Sequence, residues 1–394
     1  MKRTGNLWDT LVSWENLHEA ARRAALGKKR RSDVAAFVLN QEAELVALRS
    51  ELKDRIYEPG PYRQFHVNDP KPRLISAAAF RDRVVHHALT QVLEPVFECC
   101  FARDSYACRT GLGTHQAVAA ARRAAARFPY VLKCDVRKYF PSIDHSLLMD
   151  LLERKIKCRR TLELAGLIIA GSNPQEEVLH YFPGDTLFTP GMRRRGLPLG
   201  NQTSQFLANI YLDPLDQFVK RELKTAAYIR YVDDFLLFGG TKEELWAARK
   251  RLVERLDGLR LMLHEGKSRV YRCSEGVTFL GWRIFPNRAR LVRGNVVRFR
   301  RRMREMRNSF HDGRMEWFAV QQRVRSWIGH AMQGDTVFLR SRIFDQFPFD
   351  RSAADRWCGA GVGTTIHPTS GCPTGTTTNR RTGTTTWVSG VPGK

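Results

Sequence analysis

Apolar residues return every three or four positions near the start of the chain: Leu11, Trp14, Leu17 and Ala21, then Val34, Phe37 and Val38. That period gathers them on one helical face, so residues 5–57 predict successive helices, the last from about 42 to 56. Tyr57-Glu58-Pro59-Gly60-Pro61 ends that helix, and an extended stretch follows over 62–75. Helical patterning resumes over 80–97 and 113–128. The period then changes: Tyr130-Val131-Leu132-Lys133-Cys134-Asp135 predicts a buried strand ending in a carboxylate. A helix is expected over 147–156, with Asp144 placed to cap it. A longer helix, 203–223, follows Gly196-Leu197-Pro198-Leu199-Gly200. Two short apolar runs, 226–232 and 235–238, flank Asp233-Asp234, which predicts a hairpin with two acids at its tip. Beyond it lie a helix (242–259), a pair of strands (277–284), and an arginine-dense stretch (288–307) leading into helices to about 347. Strands and helices in this mixture predict an α/β fold.

Near residue 356 the periodicity stops. The last 39 residues hold eleven Thr, eight Gly and no acidic side chain. Such a composition buries too little apolar surface to offset the entropy of ordering it, so 350–394 is expected to be a disordered tail.

Charge narrows the partners. With 65 Lys and Arg against 40 Asp and Glu, the chain carries a formal +25. A field of that size attracts polyanions, and Lys and Arg contacts to phosphate release counterions. On that charge nucleic acid is the expected partner ahead of an acidic lipid surface, and no apolar run reaches the ~18 residues of a spanning helix. None of the eight cysteines forms a CxxC, and none sits near a His at zinc-finger spacing. Adjacent Cys99 and Cys100 are expected to be buried small apolar residues. Residues 1–30 are polar and basic, unlike a secretory leader, so a reducing cytoplasm is expected.

The candidate chemistry lies in the carboxylates. Asp135 closes a strand and Asp233-Asp234 tip a hairpin, an arrangement able to hold two Mg²⁺ ions roughly 3.5–4 Å apart for phosphoryl transfer. Mg²⁺ prefers oxygen ligands and keeps several waters, so two or three carboxylates suffice. Neighbours on a strand face opposite sides, so Asp233 is expected to be the principal ligand, with Asp234 reaching in where the turn relaxes that alternation.

The ordered set of motifs resembles a reverse transcriptase. Lys71-Pro72-Arg73-Leu74-Ile75 is similar to the fingers strand that holds the incoming triphosphate. Residues 101–116, with Ser105-Tyr106 and Arg109-Thr110-Gly111, resemble the next fingers block. Cys134-Asp135-Val136-Arg137-Lys138-Tyr139-Phe140, Leu199-Gly200-Asn201-Gln202-Thr203-Ser204-Gln205 and Tyr231-Val232-Asp233-Asp234 follow in the family's order. His264-Glu265-Gly266-Lys267 and Phe279-Leu280-Gly281-Trp282 resemble the later palm motifs and primer grip. The resemblance covers about residues 5–347. It implies a right-hand polymerase with an N-terminal helical extension (1–60), fingers and an antiparallel-sheet palm (61–285), and a helical thumb (286–349).

Roles follow from that resemblance. Asp135, Asp233 and Asp234, with the main chain of Val136, would hold two Mg²⁺, Mn²⁺ being able to substitute. Lys71 and Arg73 would meet the incoming dNTP. Phe140, five positions after Asp135, would lie against its sugar, where a ring clashes with a 2′-hydroxyl. Leu199, Gly200 and Gln205 would flank the template–nucleotide pair, and Lys267 would serve as the acid for pyrophosphate release. Arg298, Arg301 and Arg302 belong to an arginine run too crowded for one helical face and would grip the hybrid's phosphates. His86-His87 is expected to be structural.

Group II intron and retroviral enzymes usually carry Gln-Gly and Ser-Pro at the ends of the palm-helix motif. Here stand Leu199-Gly200 and Ser204-Gln205, a combination that resembles the reverse transcriptases of diversity-generating retroelements. Those enzymes copy a template-repeat RNA into adenine-mutagenised cDNA, with a small basic accessory variability protein as partner. A group II intron or retron enzyme, and a non-catalytic RNA-binding protein of the same fold, are the alternatives. The tail bears on this choice. Threonine codons are ACN, so shifting the frame by one base turns a Thr run into Asn codons. With suitable third bases, residues 358–394 then read as an Asn-rich string like the variable segment of a C-type-lectin fold. An overlapping template repeat is expected there.

Overall fold

The computed structural model describes residues 3–68, 72–172 and 180–349. Two compact units result: Met1–Ala117 with Phe128–Arg272, and Val118–Arg127 with the chain from Cys273. The first unit opens with helices α1 (Trp8–Leu11), α2 (Trp14–Ala25), α3 (Ser32–Leu39) and α4 (Gln41–Asp54). Ser13 caps α2 by accepting the Asn16 amide, and Leu17, Ala20, Ala21 and Ala24 line its buried face. The hairpin β1 (Arg63–Val67) and β2 (Arg73–Ala77) follows, then α5 (Phe80–Glu98), which packs on α2. The N-terminal helices therefore share the core of the first unit. The chain passes from the first unit to the second within α6 (Thr114–Arg127), and Phe128 returns it to the first.

Next come β3 (Tyr130–Asp135), α7 (Tyr139–Ser142), α8 (His145–Glu153), α9 (Arg159–Ala170), α10 (Thr189–Met192) and α11 (Gln202–Phe218), which widens into a π-turn at Val219–Leu223. Asp144 caps α8 through the Ser146 and Leu147 amides, as its position predicts. The hairpin β4 (Ala227–Tyr231) and β5 (Asp234–Gly239), α12 (Lys242–Asp257) and β6 (Arg269–Arg272) complete the first unit. The four-stranded sheet is antiparallel, in the order β4-β5-β3-β6. Phe235, Leu236, Leu237 and Phe238 are all fully buried, because helices and loops cover both faces of β5. That explains why its sequence runs apolar without alternation.

The second unit holds the antiparallel sheet β7 (Val277–Phe279), β8 (Trp282–Ile284) and β9 (Ala289–Leu291), then α13 (Arg293–His311), α14 (Trp317–Ala331) and α15 (Val337–Gln346). The β7–β9 sheet thus groups with α13–α15 in the second unit, whose main segment begins at Cys273. Phe299, Met303, Met306 and Phe310 form the buried face of α13, and Phe299 stacks on Trp327 with ring centroids 3.7 Å apart.

One expectation changes, and one strand is added. Cys99 is exposed and Cys100 only partly covered, because they lie just past the end of α5 where the chain turns outward. Arg269–Arg272 forms an edge strand whose short, basic sequence gave no apolar alternation. All six cysteines among the described residues are free thiols. Among the described residues no helix is long and apolar enough to cross a membrane. Residues 350–394, expected as the tail, lie outside the described residues, as does Lys71.

Candidate active site

Pairing of the β4–β5 hairpin with β3 puts the acids together through backbone register. β3 and β5 pair antiparallel over six residues, and Asp135 stands opposite Asp234. Residues opposite one another on an antiparallel pair project to the same face. Asp234 therefore joins Asp135 by strand pairing and needs no relaxation of the turn, a correction to the sequence expectation. Asp233 comes instead from the two-residue turn Val232-Asp233, which joins Tyr231 to Asp234. Val232 has φ +57°, the left-handed region that a hairpin of this length usually reserves for Gly or Asn. A β-branched residue held there stores roughly 1–3 kcal/mol of strain. The Val136 amide donates to the Asp233 carbonyl at 3.1 Å, tying the turn to the end of β3. His264 donates its amide to the Asp135 carbonyl at 2.7 Å, which brings the segment carrying Lys267 alongside.

Two lysines meet the carboxylates. Lys267 Nζ lies 2.8 Å from Asp135 Oδ1, and Lys133 Nζ lies 3.6 Å from Asp234 Oδ2. Asp234 Oδ1 is buried with no hydrogen-bond partner. Burial pushes the Asp234 carboxyl up to about 7; Lys133 opposes the shift, while Asp135 and Asp233 add to it. Burial likewise raises Asp233 to about 6, with Asp135 adding and Lys267 and Arg73 opposing. Desolvated acids that repel one another accept a divalent cation readily. Among the described residues no group of three or more His, Cys, Asp and Glu side chains is arranged to hold a metal ion. Mg²⁺ does not require one: it binds through one or two carboxylates plus substrate phosphates and water. The all-oxygen donor set and the orphaned Asp234 oxygen fit such an ion.

The remaining sequence candidates spread around this centre. Arg73 begins β2, exposed, and its charge is felt at Asp233. Phe140, on α7, is half-buried, its ring edge-on to Tyr139 at 5.6 Å, and its carbonyl accepts the Leu197 amide. The Leu199 carbonyl accepts the Ser76 amide, so the Leu199-Gly200 turn is latched to β2. Asn201 completes the latch, donating to the Ser76 carbonyl and accepting from the Ala78 amide. Gly200 has φ +112°, and a Cβ there would come within 2.9 Å of Ile75. Gln205 is exposed, and its amide oxygen accepts from the Cys108 thiol at 3.0 Å. In the second unit Arg301 and Arg302 are exposed on α13, whereas Arg298 is partly buried against Asn295. His86 is buried in α5 near Thr203, consistent with a structural role.

Sequence reasoning missed the support beneath the turn. Arg230 and Asp216 are both fully buried and pair by two hydrogen bonds of 2.7 and 2.6 Å. Arg230 also donates to Asn209 Oδ1 and to the Val232 carbonyl, and Tyr228 donates to Asp216. A charged residue inside the apolar run Tyr228-Ile229-Arg230 was the available signal, since a buried charge must have a partner.

Comparison with known proteins agrees with this geometry. The reverse transcriptase (RNA-dependent DNA polymerase) family matches residues 66–284, more than half of the chain. Protein YkfC of Escherichia coli (strain K12) is 29% identical over 294 residues, 64% of this chain and 74% of that protein. The group II intron-encoded protein LtrA of Lactococcus lactis is 23% identical over 318 residues, again 64% of this chain. Those residues span 51% of LtrA, about half its length. Nuclear intron maturase 1 of Arabidopsis thaliana is 34% identical over 85 residues, 22% of this chain and 12% of that one. With its strand-borne acids and this match, the chain belongs to the reverse transcriptase family, the RNA-directed DNA polymerases.

Proposed function

We propose that this reverse transcriptase serves a diversity-generating retroelement, copying a template-repeat RNA into adenine-mutagenised cDNA that replaces part of a target gene. The observation that carries this reading is the Thr-rich segment 358–394, whose shifted frame admits an Asn-rich variable segment. Leu199-Gly200 and Ser204-Gln205, in place of Gln-Gly and Ser-Pro, support it independently. Its partners would be template RNA, cDNA, dNTPs and a small basic accessory variability protein. A group II intron or retron-type enzyme is the second reading, favoured by the similarity to LtrA. Sequencing the DNA at codons 358–394 and searching the genome for a near-copy separates the two. A near-copy in a downstream gene, differing at template adenines, is the expected result, and its absence refutes the retroelement reading.

In the proposed mechanism Asp135, Asp233, Asp234 and the Val136 main chain would hold two Mg²⁺ ions, for which Mn²⁺ could substitute. When bound, such ions lower the pKa of the primer 3′-hydroxyl and stabilise the leaving pyrophosphate. Lys267, already hydrogen-bonded at Asp135, is positioned to give its proton to the pyrophosphate. Arg73, with Lys71, neutralises the triphosphate. Phe140 excludes the 2′-hydroxyl, and Leu199, Gly200 and Gln205 bound the template–nucleotide pair. An apolar Leu199 removes hydrogen-bonding capacity where pair geometry is checked. Arg298, Arg301 and Arg302 contact the phosphates of the hybrid. Asp233→Ala should abolish Mg²⁺-dependent cDNA synthesis while leaving RNA binding intact; robust extension would sink the metal assignment.

A further inference from the structure

Buried arginine–aspartate pairs seldom raise stability above what apolar residues of the same volume would give. Arg230 and Asp216 have no exposed surface at all, and they sit directly under the catalytic turn. The guanidinium uses its whole fork: Nε and Nη2 meet the two Asp216 oxygens, while Nη1 reaches Asn209 Oδ1 at 3.2 Å and the Val232 carbonyl at 3.0 Å. That last contact is the informative one. Val232 is the turn residue in the left-handed region, and its carbonyl carbon is bonded to the Asp233 nitrogen. Holding the Val232 carbonyl therefore fixes the peptide plane from which Asp233 projects.

The main chain of Arg230 adds a second tie. Its amide donates to the Asp104 carbonyl at 2.8 Å, and its carbonyl accepts the Tyr106 amide at 2.9 Å. Asn209, besides meeting Arg230, donates to the Ala107 carbonyl at 2.8 Å. Asp104–Ala107 leads into the loop whose Cys108 touches Gln205. One buried arginine thus links α11, the segment 104–107 and the Val232-Asp233 turn through hydrogen bonds.

We infer that Arg230 is the positioning residue of the Val232-Asp233 turn, holding its strained backbone so that Asp233 faces Asp135, with Asp216 and Asn209 orienting the guanidinium. Arg230 can act in this way only if Asp233 is a metal ligand, as proposed, so Asp233→Ala is measured alongside. The test variant is the Arg230→Met/Asp216→Leu pair, which keeps the volume but removes both charges together. Arg230→Lys, which keeps the charge but loses the fork, is the second variant. Each is assayed in the full chain for thermal unfolding, primer–template binding, and extension rate against Mg²⁺ concentration.

Both variants should unfold cooperatively and bind primer–template with wild-type affinity. Their extension rate should fall, and their half-saturating Mg²⁺ concentration rise, by roughly 10- to 100-fold, as when an outer partner of a metal ligand is lost. A folded variant with a wild-type Mg²⁺ midpoint overturns the inference. So does loss of fold in both variants, which would assign the network to stability alone. If Asp233→Ala itself extends primers, the metal assignment fails instead, a result distinguishable from either.

Discussion

Replacing Asp234 with Asn removes one of three carboxyl groups gathered where β3 meets the β4–β5 hairpin, and it should stabilise the metal-free protein at alkaline pH. The Asp234 carboxyl rises from 3.8 to about 7 on folding, chiefly through burial. A rise of about three units at 1.36 kcal/mol each sets an upper bound of ~4 kcal/mol on the cost of ionising it in the folded state. Below pH 3.8 the acid is protonated in both states and costs nothing. As pH climbs through the window from about 4 to 7, the unfolded chain releases its proton first, so folding stability falls, then levels above 7. Asn carries no such cost. About half of that bound, ~2 kcal/mol, would for a unit of this size mean a midpoint shift of roughly 4–8 °C. Thermal unfolding in EDTA at pH 4, 6 and 8 would show it. The variant should match wild type at pH 4, pull ahead through pH 6, and lead by several degrees at pH 8, while losing cDNA synthesis. A constant gap across the three pH values, or a less stable variant at pH 8, would refute the reasoning.

Phe140→Ala should let ribonucleotides compete with deoxynucleotides; alkali-labile products made on a defined RNA template would report it, and unchanged sugar selection would remove Phe140 from that role. Replacing Arg301 and Arg302 together with Ala should weaken primer–template binding uniformly across sequences and flatten its dependence on log salt by roughly one to two units of slope. An unchanged slope would leave those side chains as solvated surface.

Local patterns made much of this architecture legible. Tyr130–Asp135 is the strand its apolar run predicts, and Asp144 caps α8 as its place before Ser146-Leu147 suggests. The hairpin 227–239 follows from two apolar runs interrupted by two acids. What local pattern could not supply was pairing. Asp135 faces Asp234 only because β3 and β5 align in that register, and no periodicity in either strand specifies the other. The turn was also opaque, because Val232 occupies a conformation that its own residue type disfavours, so tertiary hydrogen bonds decide it. Arg230 and Asp216 were overlooked for the same reason: each is explained by a partner 14 positions away on a different element. Gly200, by contrast, is comprehensible once β2 is seen pressing against it.

The β3–β5 register has a consequence for how the protein comes into being. Asp135 and Asp234 are separated by 99 positions (234 − 135), yet they share one rung of a ladder. While the chain is being synthesised, Asp135 emerges long before anything exists to pair with it, and the strand ending in it is an apolar run with open edges on both sides. Contacts this distant in sequence form late, since loop closure must precede them. The three carboxylates of the proposed metal site therefore cannot come together until the hairpin has emerged and paired with β3. A nascent chain released before residue 239 has no metal site to misuse, but it does carry an unpaired, apolar strand. Ribosome stalling within that interval would yield aggregation-prone fragments rather than partially active polymerase.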